Sequence, residues 1–240
     1  MTPLDWLRLE KAAADCGFEM TPVDRDGGLE LRSARFPESV VVRAVGMATF
    51  EVTAGNALML DAPDGAASVE VQGYGALYDV LRTAAAHART LPNRVADAFR
   101  RDTAGLPRST EAERLVVQRV GQNLFRSALL DYWRGQCCVT GLEVPELLRA
   151  SHIKPWASCD SDDERLDVFN GLLLAPHVDA LFDGGWITFT DDGRVLVSDA
   201  LHGEAQARLS VSAQWCAKPL RAEHWQYLAF HRLHLFRRSR

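Results

Sequence analysis

The arrangement of apolar and polar positions changes several times along the chain, and each change marks an element. Residues 4–16 set Leu4, Leu7, Ala12 and Ala13 among charged side chains, which predicts one short amphipathic helix and not a leader peptide. From 28 to 72 the segments become short and β-rich. LELRSA, SVVVRAV, MATFEVTA, ALMLDA and SVEVQG are separated by RFPES, GN and PDG, so four or five antiparallel strands are expected. Helical spacing returns over 74–89, where Leu77, Leu81 and Ala85 recur, and a further short helix is expected over 93–101.

TAGLPRST at 103–110 has no period and reads as a linker. Thr110 and Glu113 have the spacing of a capping box, and a helix is expected over 111–134. Its apolar side would carry Leu115, Val116, Val120, Leu124 and Leu130, with Arg119, Gln122 and Arg126 on another face. Beyond it the pattern predicts a strand near 149–153, an acidic loop at 160–167, an apolar strand at 170–176 and a brief helix at 177–184. A hairpin around Asp191–Gly193, a last strand in ARLSVS and a C-terminal helix complete the chain. The fold class expected is α+β, with a β-rich N-terminal domain with helices over 1–105 and a second domain over 106–240 ending in the C-terminal helix.

Composition narrows the classes. The chain has 240 residues, 47% of them apolar and 25% charged, as in ordinary folded proteins. Lys and Arg number 27 against 32 Asp and Glu, a net charge of -5 that excludes a histone-like protein but not a local basic face. The C-terminal stretch from Lys218 is locally basic, ending in Arg237, Arg238 and Arg240. The five cysteines are odd in number and form no CxxC pair, which argues against a disulfide scaffold or a four-cysteine zinc knuckle. No window approaches an apolar membrane span, so no membrane partner and a cytoplasmic location are expected.

Candidate chemistry concentrates in 137–184. Asp179 and Asp183 are spaced to share one face of a helix. A strand, loop, strand and helix could bring His152 opposite them, with room between for a divalent ion and a phosphate. Hydrolysis of a phosphodiester needs a base within reach of water, and neutral histidine suits that task. A hard cation on carboxylate oxygens would stabilise the leaving oxygen. Asn170 could orient the loop carrying His152 or give the ion an oxygen. Each residue also has a plain structural reading: a packed histidine beside Trp156, a solvated acidic helix face, a turn at Asn170–Gly171.

RVGQNLFRSALLDYWRGQCCVTG, ASHIKPWAS and NGLLLAPHVDALFDGGWITFTDDG together resemble the HNH endonuclease family, in particular the subgroup found in bacterial restriction-type nucleases. The resemblance covers about 111–198. It implies a ββα-metal (HNH) nuclease domain and metal-dependent cleavage of nucleic acid, usually duplex DNA. By position it assigns the general base to His152, the middle motif residue to Asn170 and metal ligation to Asp179, with Asp183 as a recurrent acid. His177 and Ser151 become second-layer or phosphate contacts, and Arg119, Gln122, Arg126 and Lys154 become DNA contacts. The cofactor implied is one Mg²⁺ or Mn²⁺ per site. Many relatives carry Asp or His where this chain has Ser151, and the knuckle cysteines are missing, which leaves Cys138 as a core residue. Residues 1–105 would recognise the DNA, in a restriction-type enzyme selective for modified DNA, or would only scaffold or dimerise the catalytic part. The other readings are a non-catalytic DNA-binding or interaction protein on a decayed HNH fold, and an enzyme acting on a small phosphodiester.

Overall fold

Leu9, Ala12, Ala13 and Cys16 form the buried stripe of the first helix, α1 (Pro3–Cys16), while Leu4 and Leu7 are exposed. The computed structural model describes residues 3–62, 65–107, 109–218 and 220–238, and the chain divides into two units, Met1–Leu91 and Pro92–Arg240. Arg108 of the expected linker and Arg240 of the basic C-terminal stretch lie outside the described residues.

In the first unit, β1 (Met20–Arg25), β2 (Gly28–Arg32), β3 (Val40–Gly46), β4 (Thr49–Ala54) and β5 (Ser68–Gln72) form an antiparallel sheet in sequence order. Period-two alternation turns Leu29, Leu31, Val40, Val42, Phe50 and Val52 into the core. There they meet α1 and Leu77, Leu81, Ala84 and Ala85 of α2 (Gly73–Thr90). Gly73, with φ +84°, permits the abrupt passage from β5 into α2. Five strands were expected at most, but the set differs. ALMLDA contains a 3₁₀ turn at Ala57–Met59, started by Asn56, whose side-chain oxygen accepts the Leu58 N–H at 2.9 Å. The fifth strand is instead β1, an exposed edge containing Pro22, where no apolar alternation announces pairing.

The second unit begins with α3 (Arg94–Thr103) and α4 (Glu111–Tyr132). The capping box forms as expected: Thr110 Oγ1 accepts the Glu113 N–H at 3.2 Å, and Glu113 accepts the Thr110 N–H at 2.8 Å. The buried face of α4 is Val117, Gly121, Phe125, Ala128, Leu129 and Tyr132. Leu115 and Val116 are exposed instead. Gly121 explains the choice of face. A Cβ there would lie 2.7 Å from the Trp156 ring and 3.3 Å from Phe99 of α3, so the glycine admits two aromatic rings. This packing also makes α3 part of the second unit, so the division falls after Leu91 and not at 105.

Next come β6 (Arg149–His152), a loop holding the short α5 (Asp162–Arg165), β7 (Gly171–Leu174) and α6 (Pro176–Asp183). The strands pair antiparallel, Arg149 with Leu174, Ser151 with Leu172 and His152 with Gly171. They and α6 make a strand–strand–helix unit inside an α+β protein. β8 (Ile187–Phe189) and β9 (Val195–Val197) form the expected hairpin. ARLSVS is not a strand. Its first residues end α7 (Gly203–Arg208), where Glu204 and Arg208 pair at 2.8 Å, and Ser210 turns the chain at φ +54°.

α8 (Ala222–His234) closes the second unit. His231 is 1% exposed and stacks on Phe182 of α6 with centroids 3.9 Å apart. Its Nε2–H donates to the Phe182 carbonyl at 3.0 Å, which leaves Nδ1 to accept from the Thr188 hydroxyl at 3.0 Å. Burial pushes its pKa down to about 4, so the ring is neutral at physiological pH. Of the basic aromatic stretch, Tyr227 and Leu228 face the core and Trp225 stays half exposed.

Candidate active site

The β6–β7 hairpin is covered on both faces, which is why Leu172, Leu173 and Leu174 are all fully buried. One face meets α4. The His152 ring stacks on Phe125 at 3.9 Å, and a Cβ on its cross-strand partner Gly171 would sit 2.7 Å from Phe125 and Leu129. Adjacent strand residues point to opposite faces, so Ser151 and Arg149 share the other face. There Ser151 is buried beside the half-buried Asp179 carboxylate of α6. The His152 ring therefore leaves the hairpin toward α4 and the Ser151 side chain toward α6, where Asp179 lies.

Asn170 is fully buried and tied on every polar atom. Its Oδ1 accepts the Lys154 N–H at 2.7 Å. Its Nδ2 donates to the carbonyls of Lys154 and Glu164, each at 3.2 Å, and approaches Cys159 Sγ at 3.4 Å. The Asn170 carbonyl accepts the Ile153 N–H at 3.0 Å. Of the two roles open for it, orienting the loop is the one these bonds serve.

The same loop fixes His152. Arg165 is held by Trp156 O, Cys159 O and Asp162, and its own carbonyl lies 2.8 Å from His152 Nε2. A carbonyl only accepts, so Nε2 carries the hydrogen and Nδ1 keeps the lone pair in the neutral ring. Burial lowers the His152 pKa, and the Arg165 carbonyl opposes this only in part. The ring is thus neutral, oriented and of one tautomer.

On the opposite face, burial pushes the Asp179 pKa up. Ser151 and the Arg149 charge favour the carboxylate, while Asp183 disfavours it. Asp183 and His177 are exposed, and the His177 ring lies 5.8 Å from Trp215. Among the described residues, no three His, Cys, Asp or Glu side chains form a metal cage. Two carboxylates one helical turn apart, one of them half-buried beside a hydroxyl, still suit a hard cation that keeps most of its water. Asp179 and Asp183 would hold it, with Ser151 at the margin.

The four expected DNA contacts separate. Arg119 and Gln122 are exposed on α4. Arg126 closes on the chain itself, donating to Leu148 O at 2.7 Å and Pro145 O at 2.8 Å. Lys154 pairs with Glu164 at 2.7 Å and Asp160 at 3.4 Å, and lies 5.3 Å from the centre of the Phe230 ring. These two are committed to holding loops. Their local partners, backbone carbonyls and a loop acid, carry no signal in residue spacing. Arg149, which sequence reasoning passed over, is exposed on the face shared with Ser151.

The description HNH endonuclease matches residues 137–190, from Cys137 through the hairpin and α6 to Thr190. The chain therefore carries an HNH endonuclease domain over that stretch, a class of nuclease that acts on DNA and generally depends on a divalent metal. No curated protein matches the chain. No described helix is long and apolar enough to cross a membrane.

Proposed function

We propose that this protein is a divalent-metal-dependent endonuclease that hydrolyses duplex DNA, of the restriction type and selective for modified DNA. The observation that carries the catalytic part is the neutral His152 ring, held through Nε2 by the Arg165 carbonyl inside the matched stretch. His152 Nδ1 takes the proton of the attacking water. The water oxygen bonds to phosphorus as the P–O3′ bond breaks, and the leaving oxygen is protonated from solvent. Asn170 holds the loop that fixes the ring. Asp179 and Asp183 would hold Mg²⁺ or Mn²⁺, which would supply charge stabilisation for the phosphate and the leaving oxygen. The N-terminal region, expected over 1–105, selects the DNA, and the protein acts in the cytoplasm.

Cleavage of supercoiled and linear duplexes, unmodified and modified, with Mg²⁺ or Mn²⁺ tests this. Metal-dependent cutting that His152→Ala abolishes is expected. One observation favours a second reading, a DNA-binding protein that does not cut: the residue beside Asp179 on β6 is Ser151, whose hydroxyl is a poor ligand for a metal. Binding to DNA without cleavage by the unmodified protein, on every substrate and with both metals, would select it.

A further inference from the structure

The basic groups around the hairpin are mostly committed. Arg126 and Arg165 hold backbone carbonyls, Lys154 holds Glu164, and the His152 ring faces α4. Arg149 differs. It opens β6, pairs across to Leu174, and is two residues from Ser151, so strand alternation turns it away from α4 and toward the side on which α6 packs. It is exposed, and among the described residues no hydrogen bond or ion pair ties its guanidinium. Its charge still reaches Asp179.

We propose that Arg149 is a catalytic residue that grips a non-bridging oxygen of the scissile phosphate beside the carboxylates of α6. This rests on the nuclease reading above. A planar guanidinium offers paired donors that match phosphate oxygens, and a donor placed where negative charge grows favours the transition state over the bound substrate. An untied arginine can make that contact without first breaking another.

The test uses the full chain with supercoiled plasmid DNA and Mg²⁺, and reads Mn²⁺ binding separately by electron paramagnetic resonance. Arg149→Ala should lower kcat by roughly 100-fold, with Arg149→Lys recovering part of the loss. Mn²⁺ affinity should stay the same or rise, because a neighbouring positive charge has gone. Wild-type cutting by Arg149→Ala would overturn the assignment. So would loss of cutting in step with loss of Mn²⁺ binding, which would make Arg149 a support for the carboxylates. Asp179→Ala separates the two levels. If it binds Mn²⁺ and cuts like the wild type, the metal reading of α6 fails and the Arg149 assignment falls with it. If only Arg149→Ala is silent, the metal reading stands and this assignment alone fails.

Discussion

The two faces of the β6–β7 hairpin are made from alternate residues of one ladder, yet they differ in kind. The α4 face is aromatic and settled. Phe125 lies flat against His152, Gly171 leaves the space for it, and the Arg165 carbonyl fixes the ring. The α6 face is charged and underdetermined. Asp179 is half-buried near Asp183, with a hydroxyl and an untied arginine for company. Burial acts on both faces with opposite consequences. It keeps a histidine neutral, which is the state a base needs, and it raises the cost of a charged carboxylate, which a cation would lower.

If that contrast is a division of labour, damage to one face should leave the other's property intact. The largest effect is expected from His152→Ala, with kcat for DNA cleavage lower by about 10²–10⁴-fold and Mn²⁺ affinity unchanged. Joint loss of both would show that the faces are not independent. The acid limb of the wild-type rate profile belongs to the same test. A depressed His152 pKa keeps the base neutral to lower pH, so activity should fall only below the usual imidazole range.

Asn170→Ala comes next. It strips partners from the Lys154 N–H and from the Lys154 and Glu164 carbonyls, for roughly 4 kcal/mol in urea unfolding at about 1–3 kcal/mol per buried group. A loss under 1 kcal/mol would mean that the loop holds without it.

His231 should contribute on the order of 3 kcal/mol of pH dependence, from a folded value near 4 against about 6.5 unfolded. The folded pKa is the lower one, so the unfolded chain binds the extra proton. Its stabilising contribution is complete above about pH 6.5 and is lost as pH falls toward 4. Urea midpoints over that window, against His231→Gln, would show whether the slope belongs to this ring.

Gly171→Ala should give the smallest change, about 1–3 kcal/mol of overpacking, since its methyl would press on Phe125 and Leu129 at 2.7 Å. It should disturb the His152 face and spare Mn²⁺ binding. Equal loss of both properties would again join what the ladder separates.

Much of this was legible beforehand, for identifiable reasons. The capping box, both hairpins of the second unit and α6 follow from local spacing, and they form where expected. The buried side of α4 was not legible, because Gly121 supplies room and not hydrophobicity, and Trp156 fills it from far along the chain. β1 was missed because an exposed edge strand has no apolar face to betray it. Arg126 and Lys154 look free as residue types; only the fold reveals the carbonyls and the acid that occupy them. That Ser151 and His152 turn toward different helices follows from the strand period alone.

The Asn170 amide has a consequence for how this stretch can vary in length. By joining Lys154 to Cys159 and Glu164, it closes the loop into a ring whose neck is set by one side chain. Residues inserted at the exposed tip near Ser161 would lengthen the perimeter and leave the neck, and the strand ends beyond it, in place. A deletion that removed Glu164 or shifted Arg165 would cut through the neck. Variation should therefore gather at the tip, and the distance from Asn170 back to His152 should be free to change without moving either residue.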